Sequence, residues 1–90
     1  MVDYLTNNTN IGTSNSKQTV FILIFKTNIR FKKDIKIVAS YLKQLVDIIS
    51  WNIDREDIDN VLRIEANNNC VKKIITTITQ AGYFCEELNN

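Results

Sequence analysis

Five basic residues cluster in one segment of the chain: Lys26, Arg30, Lys32, Lys33 and Lys36. The segment follows a dense apolar run and precedes an amphipathic one, so we interpret it as a turn between a strand and a helix. Cations at a helix N-terminus oppose the helix dipole. A sequence that tolerates this cost could use the charge to hold an anionic group or the acidic surface of a partner. A solvated loop decorated with lysine is the alternative, and both readings stay open here.

Residue types that carry catalysis and metal binding are scarce. The chain has no histidine, which removes the usual general base and the commonest metal ligand, so we expect no enzymatic activity and no cofactor. Its two cysteines, Cys70 and Cys85, match no zinc-binding spacing. We expect Cys85 to be buried. We expect Cys70 to be more exposed and close to a helix N-terminus, where a thiol becomes more acidic, and this makes Cys70 a candidate redox thiol.

The composition is that of a small globular domain. The 90 residues are 44% hydrophobic and 23% charged, with a net charge of +1, so any electrostatic preference must be local. Phe31 is the only ring within the basic cluster, which does not favour nucleic acid as a partner. No apolar run approaches the roughly 20 residues that span a bilayer. The N-terminus lacks a signal-peptide pattern, and we therefore expect a cytoplasmic protein with no membrane partner.

Hydrophobic periodicity divides the chain into a tail and one domain. Residues 1–18 are rich in Asn, Thr and Ser without a period, and we expect a disordered tail. Within residues 19–88, strands are predicted at 19–26, 49–54, 61–66 and 83–88. A helix beginning at residue 32 or 33 is predicted from the apolar stripe Ile35, Val38, Ala39, Leu42, Leu45 and Val46. A second helix, with apolar residues Val71, Ile74, Ile75 and Ile78, is predicted to be capped by 67–69 and to end at Gly82.

The order β-α-β-β-α-β predicts an α+β, ferredoxin-like sandwich: a four-stranded antiparallel sheet with two helices on one face. The first and third strands would be central. Strands 49–54 and 83–88 would be edges, and either edge could pair with another chain, including a second copy in a homodimer. We expect Phe31 to cap the core and Trp51 to pack on the sheet, so that neither side chain binds a ligand.

Several segments resemble one family. They are Phe-Lys-Thr-Asn-Ile at 25–29, Val-Asp-x-Ile-x-x-x-Ile-Asp at 46–54, Val-Leu-Arg-Ile-Glu at 61–65 and Ala-Gly-Tyr at 81–83. Together they look like the heavy-metal-associated (HMA) domain, the family of copper chaperones and of the N-terminal modules of metal-pumping ATPases. The resemblance covers nearly all of residues 19–88. It implies a ferredoxin-like fold with a Cys-x-x-Cys metal site across the first strand-to-helix turn.

The chain departs from the family at that site. The resemblance assigns the two cysteine positions to Phe31 and Asp34. Cu(I) prefers thiolates, and one carboxylate among cations is a poor site for a dication. The resemblance therefore implies a degenerate HMA-like module with no metal ligand at that turn, and we expect a protein partner there. Two alternatives stay open: a Cu or Zn carrier with other ligands, such as Cys70 and Cys85, and a small-molecule-binding regulatory domain.

Overall fold

The computed structural model describes residues 19–88, which form one antiparallel sheet and two helices. The elements are β1 (Phe21–Thr27), α1 (Lys32–Leu42), β2 (Ile48–Asp54), β3 (Val61–Ala66), α2 (Val71–Gln80) and β4 (Cys85–Glu87). The strand order β2-β3-β1-β4 places β1 and β3 in the centre, which confirms the predicted topology and fold class. Residues 1–18, where a tail was predicted, lie outside the described residues. Between residues 19 and 88, neither helix combines the length and the apolar character needed to cross a bilayer.

The core lies between the sheet and both helices. In β3, Leu62 and Ile64 are completely buried while Arg63 is exposed, as the alternation of apolar and polar residues predicts. The helices contribute the buried members of their apolar stripes. The completely buried apolar side chains include Phe25, Val38, Leu62, Ile64, Ile74 and Ile78. Trp51 packs against this cluster from β2, as predicted.

Two elements differ from the predictions at the α1–β2 connection. The first helix was predicted to end within residues 46–49, but α1 ends at Leu42 and the chain turns at Lys43. Val46 was predicted in the buried stripe, but it follows the turn and is 88% exposed. The pairing of β2 with β3 is irregular between Ile48 and Ser50. The alternation of residues 49–54 predicts that Ile49 shares the buried face with Trp51 and Ile53, but the bulge turns Ile49 outward and the prediction is wrong.

The ends of α2 show one prediction wrong and one confirmed. The N-cap residue is Cys70, and its side chain makes no capping hydrogen bond, so the predicted cap at residues 67–69 is wrong. At the other end, Gly82 follows the C-cap with a φ of +99°, a conformation that favours glycine. Its N–H donates to the Thr79 carbonyl at 3.0 Å, and the Tyr83 N–H donates to the Ile78 carbonyl at 3.2 Å. This is a Schellman motif, as Gly82 predicts.

Candidate interaction site at the first strand-to-helix turn

The turn between β1 and α1 is held by two other loops. At the end of β1, the Thr27 N–H donates to the Asp59 carbonyl in the β2–β3 loop at 3.0 Å. The Asn28 side-chain oxygen accepts from the Phe84 N–H, just before β4, at 2.9 Å. The turn, the β2–β3 loop and the α2–β4 loop therefore lie together at one end of the domain.

Thr27 is a structural residue of this end that the sequence reasoning missed. Its side chain is buried, and its hydroxyl donates to the Asn60 carbonyl at 2.6 Å. The same oxygen accepts from the Ile29 N–H at 3.1 Å. Asn60 has a φ of +44°, a left-handed conformation that asparagine tolerates better than most residues. Only the bond to Ile29 had a local signal, since threonine often bonds an amide two residues ahead in a turn.

Phe31 and Asp34 lie at the N-terminus of α1, at the junction where the resemblance places the family's metal site. Phe31 is the N-cap residue and Asp34 is the third residue of the helix. The Asp34 carboxylate accepts from the Phe31 N–H at 3.0 Å and, more weakly, from the Arg30 N–H at 3.4 Å. Its other oxygen accepts from the Tyr83 hydroxyl at 2.8 Å. Asp34 thus makes the acidic half of a capping box, and both of its carboxylate oxygens accept hydrogen bonds from protein donors.

These hydrogen bonds shift the acidities of both side chains. The pKa of Asp34 is lowered from its ordinary value, chiefly by the Phe31 N–H and next by the Tyr83 hydroxyl, against a smaller opposing effect of desolvation. Burial is the main cause that raises the pKa of Tyr83, and the neighbouring Asp34 carboxylate raises it further. Asp34 is therefore ionised and Tyr83 is protonated at neutral pH, as their hydrogen bond requires.

The structure brings four of the five predicted cations to the turn and the first turn of α1. Arg30, Lys32, Lys33 and Lys36 are all exposed there. Lys26 is different: it lies in β1 between two buried residues, so it points to the sheet face opposite the helices. It also pairs with Asp59, at 3.7 Å between the charged groups. We call Arg30, Phe31, Lys32, Lys33 and Lys36 the basic turn.

Exposed apolar side chains accompany these cations. Phe31 was predicted to cap the core, but its side chain is 60% exposed because Ile29, which is completely buried, takes the inward position. Ile58 in the β2–β3 loop and Phe84 beside Asn28 are also exposed at this end. The sequence reasoning assigned no role to Ile58 or Phe84. Exposed apolar groups rimmed by charges are typical of protein interaction surfaces.

The two cysteines lie away from the basic turn and away from each other. Cys85 pairs with Thr27 at the end of β1, whereas Cys70 follows Ala66, which pairs with Phe21 at the start of β1. The expectation that Cys70 is the more exposed cysteine is wrong, since only 7% of it is accessible, and Cys85, which was expected to be buried, is only partly buried.

The cysteine environments do not favour the thiolate form. Burial is the larger cause that raises the pKa of Cys70, and Asp47 raises it further. Burial raises the pKa of Cys85 to about 12. Within residues 19–88, no three His, Cys, Asp or Glu side chains are grouped so that they could hold a metal ion.

No family model and no curated protein matches this chain. Solved structures do match. The apo N-terminal domain of ZntA has a TM-score of 0.69 at 14% identity, covering 79% of this chain and 96% of that one. The yeast copper transporter domain Ccc2a has a TM-score of 0.64 at 17% identity, covering 76% and 94%. The Cu(I)-loaded first domain of the human copper chaperone for SOD1 has a TM-score of 0.64 at 12% identity, covering 77% and 93%.

Two of these neighbours are named as domains of a copper transporter and a copper chaperone, and a further match is named as an HMA domain. Identities this low establish a shared fold and leave the function of this chain to be argued from its own residues. The chain has the ferredoxin-like fold of heavy-metal-associated domains.

Proposed function

We propose that this chain is a non-enzymatic HMA-like module of the cytoplasm whose basic turn binds an acidic protein surface in place of a metal ion. The observation that carries the proposal is the exposed Phe31 ring, which stands among exposed cations at the start of α1. Aromatic and Arg side chains are enriched at the centres of interfaces, and complementary charge guides association. A partner with an apolar recess rimmed by carboxylates fits this surface.

The chemistry of the turn argues against a metal there. Phe31 has no donor atom, and the Asp34 carboxylate already accepts hydrogen bonds from Phe31 and Tyr83. Binding a cation at Asp34 would require breaking the cap and overcoming repulsion from the adjacent ammonium groups. The alternative carrier with Cys70 and Cys85 as ligands is not supported by their positions at opposite ends of the sheet.

A metal titration tests the first half of the proposal. The reduced protein is titrated with Zn(II) and, anaerobically, with Cu(I) against a competing chelator, and we expect no stoichiometric binding. The matched variant carries Phe31→Cys with Asp34→Cys. If these positions correspond to the family's ligands, two thiolates at this turn should confer Cu(I) binding. Stoichiometric binding by the unmodified chain would refute the proposal.

A charge-reversal comparison tests the second half. Lys32→Glu with Lys33→Glu reverses two charges in the basic turn, and Lys43→Glu with Lys72→Glu reverses two exposed charges elsewhere. The net charge changes equally in both variants. We expect the first variant, and Phe31→Ser, to lose the partner captured by the unmodified protein, while the second variant retains it. Equal loss in the two double variants would show that overall charge, rather than the basic turn, drives binding.

A further inference from the structure

Strand β2 leaves the longer edge of the sheet unpaired within residues 19–88. It contains seven residues and hydrogen-bonds only to β3, whereas β4 at the other edge has three. Edge strands are usually protected by lysine or proline, and β2 contains neither. Its one irregularity, the bulge at Ile49, lies near its start. The remaining stretch, 50–54, is a regular strand with a free edge.

An apolar groove lies beside the first half of this edge strand. It lies between α1 and β2 and is lined by six apolar residues together with Lys43: Ala39, Leu42, Leu45, Ile48, Ile49 and Trp51. Half of Ile49 is exposed to solvent, and Val46 beside it is almost entirely exposed. A strand added to β2 would place alternate side chains over this groove, while its backbone pairs with the free edge. Both features therefore suit the same occupant, which is an extended strand.

We propose that this strand is the β2 of a second copy, paired antiparallel about a two-fold axis at Asn52. This interface is separate from the basic turn and goes beyond the proposed function. Asn52 is the midpoint of the regular stretch, in which Ser50 to Asp54 pair one-for-one with β3. When two identical strands pair antiparallel about an axis at this residue, Asn52 of one copy lies directly opposite Asn52 of the other. The bulge then lies just outside the paired region.

Side-chain chemistry favours this register over those centred on Trp51 or on Asp54. Trp51 of each copy lies opposite Ile53 of the other copy. Both pairs are on the face of the sheet that borders the groove, one pair on each side of the axis. Aromatic and β-branched residues form a favourable cross-strand pair. Asp54 lies opposite Ser50, so no like charges meet. Moving the axis to Asp54 would place two carboxylates opposite each other, and moving it to Trp51 would bring the bulge into the pairing.

Sedimentation velocity over a hundredfold range of concentration tests the proposal. We expect a monomer–dimer equilibrium for the unmodified chain. Asn52→Lys places two ammonium groups at the axis and should raise the dimer dissociation constant by up to about fivefold. Asn69→Lys adds the same charge at another exposed asparagine and should leave the dissociation constant unchanged. Mixing Asn52→Lys with Asn52→Asp should restore dimers, because residue 52 meets itself only in this register.

A disulfide scan provides an independent measurement. Directly opposed Cα atoms in an antiparallel pair lie about 4.5–5.5 Å apart, within disulfide range. Asn52→Cys should therefore cross-link to itself on oxidation. Ser50→Cys and Asp54→Cys should cross-link when mixed and should not cross-link alone. A monomer at every concentration, unaltered dimerisation of Asn52→Lys, or self-linking at residue 50 in place of residue 52 would each overturn the proposal.

Discussion

Replacing Thr27 with valine should destabilise the domain at the turn without changing the shape of its core. The hydroxyl of Thr27 bonds both the Asn60 carbonyl and the Ile29 amide, at 2.6 and 3.1 Å. Valine occupies a similar volume but cannot form either hydrogen bond. The Ile29 side chain is completely buried and Asn60 nearly so, which leaves water little access to the orphaned groups. Thr27→Val therefore leaves one donor and one acceptor without partners.

The size of the effect follows from these two groups. Leaving a buried donor or acceptor unsatisfied costs about 1–3 kcal/mol. Two such groups, one of them with slight solvent access, should lower the free energy of unfolding by about 2–4 kcal/mol. The total free energy of unfolding of a domain is typically about 5–15 kcal/mol, so this loss is a large fraction of it. With the shallow denaturant dependence of a small domain, the urea midpoint should fall by more than about 1 M.

Thr77→Val is the matched control. Thr77 is also nearly buried, but its hydroxyl donates to the Lys73 carbonyl, which already accepts the helical N–H of Thr77. Removing this hydroxyl leaves no buried group without a hydrogen-bond partner. We therefore expect the free energy of unfolding to fall by less than about 1 kcal/mol. Urea unfolding followed by circular dichroism measures both variants. Equal losses in the two, or a loss under about 0.5 kcal/mol for Thr27→Val, would refute the reasoning.

Further predictions concern the ends of the two helices. Tyr83→Phe removes a donor from Asp34 and should raise the pKa of that carboxyl toward 3.8, as measured by carbon NMR; an unchanged pKa would contradict the hydrogen bond. Because the folded state lowers the pKa of Asp34, its contribution to stability is fully present above the unfolded pKa and lost as pH falls through the folded value. Asp34→Asn should therefore lose less stability than the unmodified protein as the pH is lowered, which unfolding midpoints measured over a series of pH values would show. Gly82→Ala meets open space at a φ of +99°, so strain alone should cost about 1 kcal/mol, and a neutral result would argue against the Schellman geometry.

Elements with a clean period were predictable from the sequence, but the ends of several of them were not. Strict alternation made Val61–Ala66 recognisable to the residue. At the end of α1, Leu45 continues the helical period although the helix has stopped, because it still packs against the core after the turn. Because no Gly or Pro marks the end of the helix, Leu45 is compatible both with a helix that continues and with one that has already ended. The bulge at Ile49 likewise leaves the apolar spacing unchanged while it reverses the direction of that side chain.

Contacts across the fold account for what sequence reasoning missed at the site. The position of Phe31 and Asp34 followed from the order of elements. Their environment did not, because Tyr83 reaches Asp34 across 49 residues of sequence. Thr27 similarly reaches Asn60 across 33 residues. Short-range patterns carry no information about such pairs. The exposure of Phe31 was missed for a related reason, since either Phe31 or Ile29 could have filled the single inward position.

The role of Asp34 connects the stability of the turn with its proposed binding function. A carboxylate that accepts from the backbone and from Tyr83 fixes the start of α1, so Phe31 and its neighbouring cations are held in one arrangement. A preorganised surface loses less conformational entropy on binding than a mobile one. Tyr83→Phe should therefore weaken partner binding even though its hydroxyl points inward to Asp34. Binding unaffected by Tyr83→Phe, but abolished by Phe31→Ser, would mean that the turn acts through its exposed groups alone.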